Sequence, residues 1–142
     1  MENVVILQEE KNDCGCACIA MILKYYNKNI SLDVIKKKVE ITENGLSVFS
    51  IVQFFKNRNW GVIPLKISYA DFKNIFSVPC IVYLRSGNWN HYVVLFEQCE
   101  SGFRAGNPAL GEEFIPDNQL EAFWGFCVVY IVANSNSKKY KF

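Results

Sequence analysis

Gln8-Glu9-Glu10-Lys11-Asn12-Asp13-Cys14-Gly15-Cys16-Ala17-Cys18-Ile19-Ala20-Met21-Ile22 runs from a glutamine through a polar loop to a thiol at the head of an apolar repeat. Asn12 and Asp13 are residue types that cap helix N-termini. From Cys14 the apolar positions recur at helical spacing, through Ala17, Cys18, Met21, Ile22 and Tyr25. The spacing predicts a buried helix over 14–26, closed by Asn27, with Cys14 on its first turn. There the unsatisfied N–H groups and the positive end of the macrodipole favour an anion, which predicts a lowered thiol pKa and a better nucleophile at neutral pH.

Outward from that helix, Ser31 predicts the cap of a short helix over 32–39 with a basic face of Lys36, Lys37 and Lys38. Thr42-Glu43-Asn44-Gly45 reads as a turn. Ser47 then opens a helix whose stripe is Val48, Ile51, Val52 and Phe55, ending at 57–59. Residues 60–67 read as a connecting strand with Pro64 marking an edge, and Ser68 caps a helix with Phe72, Ile75 and Phe76 inward. Beyond Pro79 the period becomes two: strands over 80–84 and 89–96 flank the turn Ser86-Gly87-Asn88 and form an antiparallel hairpin. Phe103-Arg104-Ala105-Gly106 follows a second turn, 107–111 is a loop, 117–123 a short helix and 126–133 a last strand. Met1–Leu7 reads as an edge strand or extended arm. The expected fold class is α+β in one domain over 1–142: a helical part to about 78, packed on a mostly antiparallel sheet from about 79 to 134, then a solvated tail at 135–142.

Composition narrows the function classes. With 142 residues, 51% of them hydrophobic and 15% aromatic, the chain has ample material for one core and is not a disordered segment. A net charge of +1, with no basic stripe beyond the Lys138-Lys139-Tyr140-Lys141 tail, gives no electrostatic case for nucleic acid. The N-terminal residues are too few and too acidic for a signal peptide, and the longest apolar run, 126–133, is far short of a membrane span. A cytoplasmic chain with reduced thiols is the expectation, so Cys80, Cys99 and Cys127 read as small core hydrophobes.

A cysteine nucleophile needs a base, and the chain has one histidine, His91. Alternation places His91 on one strand face with Val93 and Leu95, from which it is expected to project toward the facing helix. Asn107 is the candidate to orient the imidazole. The side-chain amide of Gln8 and the backbone N–H of Cys14 are candidate oxyanion donors. Singly, each of these residues has an ordinary structural role open to it. The Cys14-x-Cys16-x-Cys18 spacing invites a metal, but residues two apart on a helix diverge, and neither a Cys-x-x-Cys nor a second histidine completes a site. No metal or cofactor is expected.

Taken together, Gln8 six residues before Cys14, the motif Asp13-Cys14-Gly15-x-Ala17-Cys18-x-x-Met21-Ile22, Gly45-Leu46-Ser47, His91-Tyr92-Val93-Val94-Leu95 and Asn107-Pro108-Ala109-x-Gly111 resemble the bacteriocin-processing cysteine peptidases. In that family the domain forms the N-terminal part of peptidase-containing ABC transporters, and the resemblance spans nearly the full chain. It implies a papain-like fold and cleavage of a leader peptide after a double-glycine-type motif. Cys14 would be the nucleophile, His91 the base and later acid, Gln8 the oxyanion donor and Asn107 the third member. The family usually has Asp-Pro where this chain has Asn107-Pro108. The amide oxygen still accepts a bond from the imidazole but brings no charge.

The resemblance also implies partners: a precursor with an amphipathic helical leader, docked in a shallow apolar groove, and the transmembrane and ATP-binding domains of an exporter outside this chain. The location would be cytoplasmic, at the inner face of the membrane, and the chain a domain of a longer protein. Leu46, Phe49, Phe54, Trp60 and Tyr69 are candidates for the groove, although most of them suit a core better, and Trp89 is a candidate wall of the cleft. A docking module without turnover, and another Cys-His acyl transferase, are the alternatives.

Overall fold

Three serines fix where helices begin. In the computed structural model, which describes residues 4–77 and 79–132, the hydroxyls of Ser31, Ser47 and Ser68 accept from the N–H groups of Val34, Ser50 and Asp71 at 3.3, 3.1 and 3.2 Å. They open α2 (Leu32–Lys38), α3 (Val48–Lys56) and α4 (Tyr69–Ile75). α1 (Cys14–Tyr25) begins differently. Asp13 has helical backbone angles and makes no side-chain cap, so the cap expected of it is absent. Its buried carboxylate instead accepts from the N–H of Glu10 at 3.0 Å and pairs with Lys36 at 3.2 Å, pinning the loop before Cys14 to α2. Asn27, in the left-handed region at φ 63°, ends α1.

The hairpin forms where Gly87, at φ 58°, permits a two-residue turn between β2 (Cys80–Ser86) and β3 (Trp89–Cys99). β1 (Gly61–Lys66), β4 (Gly102–Asn107), β5 (Gly111–Pro116) and β6 (Trp124–Val132) complete one antiparallel sheet in the order β1-β6-β2-β3-β4-β5. The last strand therefore inserts between β1 and β2, and β1, which carries Pro64, is an edge as its proline requires. α5 (Asp117–Phe123) lies between β5 and β6 in sequence.

Alternation along β3 divides the molecule into two apolar layers. Tyr92, Val94 and Phe96 pack with α1 and α3, while Val93 and Leu95 pack with Phe72 of α4, Leu120 of α5, Phe103 and Trp124. The expected helices packed on a mostly antiparallel sheet are present, and they cover both of its faces, α4 lying on the side away from α1 and α3. Full burial of Phe55 and Phe72, one in each layer, is worth about 1.5–3 kcal/mol apiece. Ile75, expected inward, is 48% exposed, and Phe76 beside it packs on Phe72 and Phe103 instead.

Candidate active site

The β3–β4 ladder stops at Val94–Gly106, whereas β3 runs on to Trp89 against β2. β3 and β4 therefore part beyond that pair, and the head of α1 faces the fork. α1 comes this close because position 15 is glycine: a Cβ there would lie 2.9 Å from Leu46 Cβ and 3.5 Å from the Tyr92 ring. The Tyr92 hydroxyl donates to the Leu46 carbonyl at 2.9 Å, tying β3 to the loop before α3.

Cys14, Gln8, His91, Asn107 and Trp89 all line one cavity of about 660 Å³. Cys14 is 6% exposed, and burial pushes its thiol pKa up. The N–H groups of Tyr92, Gly15 and Cys14 aimed at the sulfur work in the opposite direction, and the Asp13 carboxylate adds to the rise. The lowered pKa expected from the helix terminus is therefore corrected: desolvation outweighs the N–H groups, and the sulfur needs a base to lose its proton. Burial drives Cys16 to about 12, and holds Cys18 and Cys80 well above the ordinary thiol range.

His91 shares its face with Val93 and Leu95, which is the face opposite α1, so it does not project toward that helix as expected. It shares a cavity with Cys14 at the open end of the fork. Its Nε2 lies 2.8 Å from Asn107 Oδ1. The same oxygen accepts from the N–H of Ala109 at 2.9 Å, and Asn107 Nδ2 donates to Glu113 Oε2 at 2.5 Å. An atom that accepts from a backbone N–H is the carbonyl end of the amide, so the imidazole donates through Nε2. This leaves Nδ1 as the basic nitrogen. Trp89, 49% exposed, lies with its ring 5.8 Å from the imidazole, tilted by 31°, and 5.8 Å from the Phe123 ring.

Gln8 reaches the cavity because its backbone N–H donates to the Pro108 carbonyl at 2.8 Å, beside Asn107. Its amide nitrogen donates to the Glu10 carbonyl at 3.0 Å and has only a long contact of 3.5 Å with Lys11, while its Oε1 is buried without a partner. One amide hydrogen is thus loosely held.

Of the residues expected in a docking groove, Leu46, Phe54 and Trp60 are buried in the layer beneath α1 and α3, and Tyr69 is buried across the sheet. Tyr69 also donates to Asp117. Only Phe49, 70% exposed, is free to meet a ligand; the others fill the core because aromatic rings flank both faces of the sheet. Glu113 had no signal in the sequence. It lies in β5, whose run of Gly111-Glu112-Glu113 obscures the strand period. Among the described residues no group of three or more His, Cys, Asp or Glu is placed to hold a metal, and no helix is long and apolar enough to cross a membrane.

A family model, that of the peptidase C39 family, matches residues 2–137. The colicin V secretion/processing ATP-binding protein CvaB of Escherichia coli is 25% identical over 120 residues, 84% of this chain and 17% of that protein. The lactococcin-G-processing and transport ATP-binding protein LagD of Lactococcus lactis is 28% identical over 110 residues, 76% of this chain and 16% of that protein. The chain thus spans about a sixth of the length of these curated relatives. Among solved structures, a double glycine motif protease from an AMS/PCAT transporter, in complex with the leader peptide, superposes with a TM-score of 0.84 at 24% identity. That match covers 92% of this chain and 91% of the other.

Proposed function

The chain belongs to the peptidase C39 family, and from that membership we propose that it is a cysteine endopeptidase removing the leader of a secreted-peptide precursor after a double-glycine-type motif. The observation that carries this reading is the cavity shared by Cys14 and His91, with the imidazole fixed by Asn107 at 2.8 Å so that Nδ1 is left to act. His91 Nδ1 takes the Cys14 proton, and the sulfur attacks the carbonyl carbon of the second glycine. The Cys14 N–H and the loosely held hydrogen of Gln8 Nε2 receive the oxyanion. The C–N bond breaks as the imidazolium protonates the leaving amine, giving a thioester. Water, deprotonated by His91, then releases the leader as a carboxylate. Trp89, standing over the imidazole, narrows the cleft to residues without side chains.

The transporter architecture of the named relatives supports a place at the cytoplasmic face of the membrane, joined to transmembrane and ATP-binding domains, with export following cleavage. The leader would dock as an amphipathic helix through its apolar face. Incubating the chain with a precursor carrying a Gly-Gly leader and weighing the products tests the assignment. Two fragments split after the second glycine are expected from the native chain and none from Cys14→Ala. Cleavage by Cys14→Ala at the native rate would overturn it.

A further inference from the structure

Resting on the peptidase reading above, we propose that Glu113 is a positioning residue for His91, acting through Asn107 to supply the negative charge that an amide at the third position lacks. The placement is a line across three strands. His91 alternates with Val93 and Leu95 on β3, Asn107 with Ala105 and Phe103 on β4, and Glu113 with Ile115 on β5, and those five apolar partners all belong to the layer beneath α4 and α5. The three side chains therefore rise from one face and join in sequence: His91 Nε2 to Asn107 Oδ1 at 2.8 Å, and Asn107 Nδ2 to Glu113 Oε2 at 2.5 Å. Donation to a carboxylate polarises the amide, making its oxygen a stronger acceptor for the imidazole N–H. The charge also favours the imidazolium that forms when Cys14 loses its proton.

The neighbouring carboxylate is occupied otherwise. Glu112 takes Arg104 at 2.8 Å, whereas Glu113 has no cationic partner among the described residues. Of the charged and titratable groups that share a cavity with the imidazole, Cys14, Lys11 and Glu43 line the larger one, and Glu113 alone lines the second, of about 460 Å³, on its other side.

The single histidine makes the test direct. In a Cys14→Ala background, where no substrate or thiol intervenes, the imidazole proton signal is followed by NMR against pH with and without Glu113→Gln, a change that keeps an acceptor for Asn107 and removes the charge. The midpoint is expected to fall by about 0.5–1 pH unit, and Asn107→Asp/Glu113→Gln, which moves the charge one residue inward, is expected to restore it. With Cys14 present, Glu113→Gln should lower kcat about three- to tenfold, leave KM within about twofold, and shift the acid limb of kcat/KM, where the imidazole must be unprotonated to act as base, to lower pH by a similar interval. An unmoved midpoint, or a change in KM alone, overturns the proposal. The titration stands even if the native chain cuts no double-glycine precursor, so it separates this inference from the peptidase reading.

Discussion

Replacing Gly15 by alanine tests how closely the head of α1 must approach Leu46, in the loop before α3. The added Cβ would lie 2.9 Å from Leu46 Cβ and 3.2 Å from its Cδ2. Leu46 has little freedom to retreat, being 3% exposed with its carbonyl held by the Tyr92 hydroxyl at 2.9 Å. Overpacking of this kind costs about 1–3 kcal/mol, and alanine returns up to about 1 kcal/mol of helix propensity. The net loss is about 1–2 kcal/mol, or about 3–6 °C in Tm for a domain of this size. Relief of the clash requires the head of α1 and Leu46 to separate, which displaces the sulfur, and a shift near 1 Å at a reacting atom costs on the order of a hundredfold. Gly15→Ala should therefore lower kcat/KM about 10- to 100-fold in a precursor cleavage assay while a circular dichroism melt moves only a few degrees. A variant with native cleavage and native Tm would show that Leu46 yields freely and that the close approach does not set the sulfur's position.

Asn107→Ala removes the acceptor shared by His91 and the Ala109 N–H, and kcat should fall at least tenfold with the precursor KM nearly unchanged, as steady-state kinetics would reveal. Iodoacetamide labelling near pH 7, followed by mass mapping, should modify Cys14 ahead of the other five thiols in the native chain. In His91→Ala, Cys14 should slow at least tenfold, because burial alone keeps the thiol protonated. Burial pushes the Asp117 pKa up, but the Lys73 ammonium at 2.5 Å and the Tyr69 hydroxyl outweigh it and hold the group below its ordinary value. Such a depressed carboxyl stabilises the fold above the unfolded pKa near 4 and ceases to do so as pH falls through the folded value. Native Tm should therefore drop between about pH 5 and pH 3 by more than that of Asp117→Asn. The pair is partly exposed, so the difference should correspond to under about 1 kcal/mol.

The elements legible in the sequence are those that local chemistry dictates. Serine caps gave α2, α3 and α4, the Gly87 turn gave the hairpin, and 117–123 matched α5. β5 escaped because Ile115 is its only buried residue, leaving no alternation to read. The insertion of β6 beside β1 escaped because pairing across more than sixty residues has no local signature. At the site, Cys14, His91, Asn107 and Gln8 were legible as an ordered set and do line one cavity. The direction of the Cys14 pKa was not, since a helix terminus can be read from sequence and desolvation depends on what packs around it. Groove and core were not separable at Trp60 and Tyr69 for the same reason, aromatic side chains looking alike in sequence whether they face solvent or another ring; both are buried.

The strand order has a temporal consequence. A sheet whose second position is filled by β6, made after the other five described strands, remains split on the ribosome: β1 has no neighbour, and the hairpin holds one flank open, until residues 124–132 arrive. The fork that receives the sulfur is anchored on that hairpin, so a nascent chain stopped after α5 would carry every reactive group and still lack the rigid frame that aligns them.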